Sequence, residues 1–126
     1  NQALEWCMTG RIFGAEEALK AGLVRSVHPQ GELIDAARGL AREIADNTSA
    51  ISVAMTRAML WRIPSGAHPM EAHKVDSRAI YRLSKGADAK EGVQSFLEKR
   101  TPAFPLRVSE DMPDFYPWWG EEPPYA

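Results

Sequence analysis

The sequence predicts a mainly α-helical fold with one short strand and a proline-rich extended tail. Three observations predict it. Apolar residues recur at three- and four-residue intervals in several separate stretches, the spacing of one helix face. Only one run, Leu23 to Val27 (LVRSV), is brief and β-branched enough to read as a strand. From Pro105 onward, five prolines rule out a helix or a central strand.

Taken in order, Gln2 to Met8 reads as a short helix with Ala3, Leu4, Cys7 and Met8 on one face and Gly10 as its closing glycine. Ala15 to Ala21 reads as a second, with acids in its first turn and Gly22 as a left-handed stop. Leu23 to Val27 follows and Pro29 ends it. One strand makes no sheet, so a partner elsewhere is expected. Glu32 to Ala45 is amphipathic, with Leu33, Ala37, Leu40, Ala41 and Ile44 as its inner stripe. Ser49 can cap Ala50 to Arg62, whose stripe is Ile51, Ala54, Met55, Ala58 and Met59. Pro64-Ser65-Gly66 is a turn, and Pro69 opens a helix to about Ser84 with Ala72, Val75, Ala79 and Leu83 inward. Short loops make consecutive helices antiparallel neighbours.

Ala87 to Phe104 (ADAKEGVQSFLEKRTPAF) reads as one capped helix with a hard stop. Asp88 is the expected N-cap and Glu91 its capping-box partner. Val93, Phe96, Leu97 and Arg100 share a face, and Pro102 ends the helix. Lys99 and Arg100 then fall in the last turn, where cations suit the carbonyl end of the dipole. Two positive groups beside an aromatic edge could hold a phosphate-bearing ligand. Spacing alone favours the other reading, a surface helix with dipole-matched charges. The segment after Pro105 carries five carboxylates, one basic residue and five aromatics: Phe115, Tyr116, Trp118, Trp119 and Tyr125. So much aromatic area is costly to leave wet, and we expect an arm laid on its own surface or a neighbouring subunit's.

Composition narrows the function classes. Hydrophobic content of 44% and charged content of 25% are ordinary for a globular protein. A net charge of −2 gives no electrostatic reason to expect nucleic acid or an anionic membrane as partner. No apolar run reaches the ~20 residues of a membrane span, and no export signal is evident. Cys7 is the only cysteine, which excludes an internal disulfide and fits a reducing compartment. Asn1 opens inside what reads as a helix already under way, so a longer polypeptide is expected.

Motif chemistry is sparse. His68 and His73 are five apart and share no helix face, and Cys7 is remote, so no metal site is expected. Cys7 lies on an apolar face with no histidine near it in sequence and reads as an inert core thiol. No glycine-rich strand-to-helix turn is present to cradle phosphates. Glu16, Glu17, Glu71, Asp76 and Glu91 are each explained by helix starts or solvated faces. Periodicity and spacing therefore give a small helical domain with a proline-aromatic arm, and no activity.

Three stretches together resemble the C-terminal part of the crotonase, or enoyl-CoA hydratase/isomerase, family. They are ALEWCMTGRIFGAEEALKAGLVRSVHP at Ala3 to Pro29, the helix at Glu32 to Ala45, and DAKEGVQSFLEKRTPAF at Asp88 to Phe104. The similarity covers about residues 2 to 104, and the DFYPWW tail is similar to the extension of some bacterial members. The resemblance implies the helical C-terminal region of a crotonase-like α/β spiral fold. Residues 1–29 would end the core region, 30–104 form the helical region and 105–126 the tail. In that family the spiral carries the oxyanion hole and the acidic catalytic residues, which bind the thioester carbonyl and stabilise enolate-like charge.

By that resemblance this chain holds no catalytic residue and would be inactive alone. Its expected substrate-binding residues are Lys99, at the family's CoA-contacting lysine, Phe96, which would line the CoA or acyl pocket, and Ile80. Some members have an aromatic where this chain has Ile80, with Tyr81 next to it. The implied activity is hydration of a 2,3-enoyl-CoA in cytoplasmic fatty acid metabolism. No cofactor is expected beyond CoA as part of the substrate, and no metal. The implied partners are an acyl-CoA and further copies of the chain, as a trimer or dimer of trimers held through the helical region and tail. An isomerase, thioester hydrolase, decarboxylase or dehalogenase parent remains open, as does a non-catalytic helical interaction module.

Overall fold

The computed structural model describes residues 1–64, 66 and 68–120, and these are mainly helical, with no strand among them. The chain forms two compact units, Asn1–Ala41 and Arg42–Ala126. No helix among the described residues is long and apolar enough to cross a membrane.

In the first unit, α1 spans Gln2–Thr9 and α2 spans Ala15–Lys20. Gly10 closes α1 in the left-handed region at φ 62°, where a side chain would be strained, and donates its N–H to the Trp6 carbonyl. Trp6 stacks on Phe13 with ring centroids 4.0 Å apart and donates Nε1–H to Glu17 at 3.0 Å. Arg11 donates to Glu17 at 3.0 Å and to Glu5 at 3.3 Å, so a polar-aromatic clasp joins the two helices. Arg11 first, and then Trp6, hold the Glu17 carboxyl below its ordinary range. Ala18 is the buried residue of this unit, while Leu4, Met8 and Ile12 face solvent. Cys7, expected as a core thiol, is exposed on that same uncovered side of α1.

The strand expected over Leu23 to Val27 does not form. Gly22, at φ 75°, donates to Leu19, and the Leu23 and Val24 N–H groups both donate back to the Ala18 carbonyl. That arrangement closes the C-terminus of α2 and commits donors that a ladder would need. Among the described residues no neighbouring strand is present to pair with the rest.

Helix α3 spans Leu33–Asn47. Its pattern makes the helix as expected, but the stripe Leu33, Leu40 and Ile44 is exposed. Period 3.6 dictates which residues share a face, not that this chain supplies the cover.

The second unit is built on α4 (Ala50–Arg62), α5 (Met70–Leu83) and α6 (Ala87–Glu98). Ser49 caps α4 as its composition predicts, its side chain accepting the Ser52 N–H at 3.3 Å. Ile51 and Met55 of α4 and Ala79 of α5 form the core, with Leu83 against them. The turn expected at Pro64-Ser65-Gly66 includes Ser65, which lies outside the described residues. Pro69 occupies the N-cap of α5.

From Pro105 to Gly120 no helix or strand forms. Leu106, Met112, Phe115, Tyr116 and Trp118 of this segment pack on the Ile51–Met55–Ala79 core. Arg78 lies over Phe115 with 4.5 Å to the ring centroid, and Arg62 over Trp119 with 3.7 Å. Tyr125 falls outside the described residues.

Helix α6 departs from expectation at both ends. Gly86, not Asp88, is its N-cap, and Asp88 makes no cap bond. Instead Asp88 is buried, and its Oδ1 accepts the Leu106 N–H at 3.1 Å. Glu91 serves no capping box, because its carboxylate is engaged by Arg100 and Ala103. The helix stops at Glu98 rather than running to Pro102. Lys99 turns left-handed at φ 57°, its N–H reaching Phe96 O at 3.3 Å while the Arg100 N–H reaches Ser95 O at 3.1 Å. The proline excludes helix at the residue before it but does not require helix up to that residue.

Candidate functional site

The residues singled out from sequence fall in the second unit. Helix α6 is inverted relative to an ordinary surface helix. Asp88, Gly92 and Ser95, at i, i+4 and i+7, face inward, and Phe104 lies against Gly92. Asp88 and Ser95 are buried, whereas Phe96 and Leu97 are 70% and 71% exposed and Val93 beside them is 63% exposed. A lone exposed apolar residue is unremarkable; three on one helix face form a patch.

At the end of that face stands Lys99. Its ammonium lies 4.4 Å from the Phe96 ring centroid. Among the described residues no carboxylate pairs with it, although Glu98 is its neighbour in sequence. Arg100 takes both acids of this turn. Its Nη1 and Nη2 donate to Glu91 at 2.5 and 2.9 Å, and its Nε donates to Glu98 at 2.6 Å. Glu91 also accepts the Ala103 N–H at 2.6 Å.

These bonds set the local electrostatics. The Arg100 guanidinium first, then the Ala103 N–H, hold the Glu91 carboxyl down at about 2. Glu98 is lowered by its bond from Gln94 and then by Arg100. Arg100 is raised, chiefly by Glu91 and then by Glu98. The Lys99 ammonium thus lies beside an aromatic ring with no carboxylate partner among the described residues, and is chemically suited to phosphate oxygens.

Ile80 is not brought to this place. It lines a separate cavity of about 530 Å³, mostly apolar, with Met55, Met59, Ala79, Leu83 and Leu106. Asp88 also lines it. One oxygen of that carboxylate holds Leu106, and the other, Oδ2, is buried without a hydrogen-bond partner among the described residues. Tyr81, next to Ile80, carries the Lys85 ammonium 3.6 Å over its ring. The structure thus joins Lys99 with Phe96 and sets Ile80 apart.

Sequence reasoning missed the Glu91–Arg100 clasp. The two are nine residues apart, a spacing that places no pair together on a continuous helix. They meet only because the helix ends at Glu98 and the chain doubles back.

Residues 1–107 match the family described as enoyl-CoA hydratase/isomerase. An enoyl-CoA hydratase of Alternaria alternata is 39% identical over 105 residues, covering 82% of this chain and 35% of that protein. Carnitinyl-CoA dehydratase of Salmonella paratyphi A is 35% identical over 104 residues, covering 79% of this chain and 39% of its own length. Among solved structures, a Mycobacterium abscessus chain assigned to the enoyl-CoA hydratases/isomerases superposes with a TM-score of 0.74 at 32% identity. That superposition covers 84% of this chain and 43% of the other. The chain therefore spans roughly two fifths of the length of the relatives it matches.

Proposed function

The chain belongs to the enoyl-CoA hydratase/isomerase family, and from that premise we propose that it is the C-terminal helical part of an enzyme acting on acyl-CoA thioesters. Hydration of a 2,3-enoyl-CoA is the reaction. In this reading the residues that polarise the thioester carbonyl and handle the proton lie outside these 126 residues. This segment caps the CoA site and supplies contacts between copies in a trimer or dimer of trimers.

The observation that carries the reading is the inversion of α6. A helix that buries Asp88 and Ser95 while exposing Val93, Phe96 and Leu97 is shaped to be covered by something else. Lys99 then has a defined role: its ammonium takes the phosphate-bearing end of CoA, and Phe96 gives that end an apolar wall. Such remote contacts hold the substrate so that the thioester sits where the reacting groups act. They contribute binding rather than chemistry, so their loss is felt mainly in KM.

The test is turnover of crotonyl-CoA. The full-length enzyme is expected to hydrate it, and the 126-residue chain alone is expected to give no product. Turnover by the isolated chain would place the reacting groups within it and overturn the reading.

A further inference from the structure

We propose that Glu91 is a positioning residue for Lys99. Its carboxylate ties the chain on the far side of Lys99 back to the body of α6 and so fixes the turn from which the ammonium reaches its ligand. The inference rests on the reading that Lys99 binds the phosphate-bearing end of CoA.

Lys99 is the only non-glycine residue with positive φ among the described residues. A residue with a Cβ disfavours that conformation and keeps it only where its surroundings hold it there. Two backbone bonds hold it from the helix side, at 3.3 and 3.1 Å. Backbone bonds of this kind close many helices, usually around a glycine. What is particular here is the bracket. Glu91 lies in α6 before Lys99, and its two carboxylate oxygens grip Arg100 and Ala103, which lie after it. Glu91 is also the shielded partner. Its side chain is 16% exposed, against 39% for Arg100 and 47% for Glu98, so this pair is less screened than the Arg100–Glu98 pair.

The same bonds occupy both acids nearest in the turn, Glu91 and Glu98, and among the described residues no carboxylate pairs with Lys99. If the bracket is released, the left-handed turn loses its outer hold and the ammonium leaves its place over Phe96. Glu91 itself touches no ligand in this account.

The experiment compares KM for crotonyl-CoA with KM for crotonyl-pantetheine in the full-length enzyme, because the second ester lacks the phosphates Lys99 would meet. Lys99→Ala is expected to raise KM for the CoA ester about tenfold, as for one charge-assisted contact, with little change for the shorter ester. Glu91→Gln is expected to raise KM for the CoA ester alone by at least about threefold, and to add nothing in the Lys99→Ala background. Arg100→Lys keeps the charge but not the two-pronged grip, and is expected to behave like Glu91→Gln, which covers the case where the latter folds poorly. If Lys99→Ala leaves KM for the CoA ester unchanged, the reading of Lys99 itself fails. If Lys99→Ala acts but Glu91→Gln raises both esters alike, or acts equally in the Lys99→Ala background, Glu91 is only structural and the inference is overturned.

Discussion

Asp88 and Leu106, eighteen residues apart, are joined by a 3.1 Å hydrogen bond in which the Leu106 N–H donates to Oδ1. The bond fastens the start of α6 to the segment that leaves it. The other oxygen of the same carboxylate is buried and has no hydrogen-bond partner among the described residues. Two effects therefore oppose each other at one side chain. Losing the acceptor strands a partly buried N–H, while losing the charge removes a desolvation cost. Asp88→Ala is expected to lower stability by about 1–3 kcal/mol. Asp88→Asn, which keeps an acceptor and drops the charge, is expected to be the more stable of the two. Thermal melts of both variants decide it. If they melt together, the Leu106 bond contributes nothing measurable.

The Glu91–Arg100 pair gives a pH dependence with a definite sign. Its carboxyl is lowered from 4.5 to about 2 in the folded chain, by Arg100 first and the Ala103 N–H second. A depressed folded value contributes stability that is fully present above about 4.5 and is lost as pH falls toward about 2. Arg100 stays charged throughout, and Glu98 shifts in the same direction more weakly. The difference in stability between the parent chain and Glu91→Gln is therefore expected to be largest near neutrality and to shrink below pH 4.5. Denaturant midpoints measured across that range check it. A difference that grows on acidification would contradict the assignment.

The arm from Pro105 is expected to hold the second unit together. Met112, Phe115, Tyr116 and Trp118 pack on Ile51, Met55 and Ala79. Deleting residues 111–126 uncovers that core at a cost on the order of 4 kcal/mol, taking about 1 kcal/mol for each half-buried side chain. Circular dichroism melts of the truncated chain provide the measurement. An unchanged midpoint would make the arm a loose tail.

How much of this was legible in the sequence depends on whether the chain holds its own partners. In α4 the Ser49 cap and the Ile51, Met55, Ala58 stripe read directly, because cap and cover are both local to the second unit. Gly10 and Gly22 read directly as left-handed stops, since φ > 0 is glycine's particular freedom. The α3 stripe was predicted correctly as a face and wrongly as an interior. The strand at Leu23 to Val27 failed because its first donors close α2. The end of α6 was misplaced by several residues because its left-handed position holds Lys99, not the glycine or asparagine that announces such a turn. Of the site, spacing marked Lys99 with Arg100 only as cations at a helix end that could hold a phosphate, and the CoA-binding roles of Lys99, Phe96 and Ile80 came from the family resemblance. The clasp that holds Lys99 was illegible, since Glu91 and Arg100 meet only through that unannounced turn.

The central claim is that the outward face of α6 is covered in the working enzyme. Hydroxyl-radical footprinting of Phe96 and Leu97 measures it without altering a residue. Strong labelling is expected in the isolated 126-residue chain, where both are about 70% exposed, and clear protection is expected in the full-length enzyme. Equal labelling of both residues in the two samples would contradict the account.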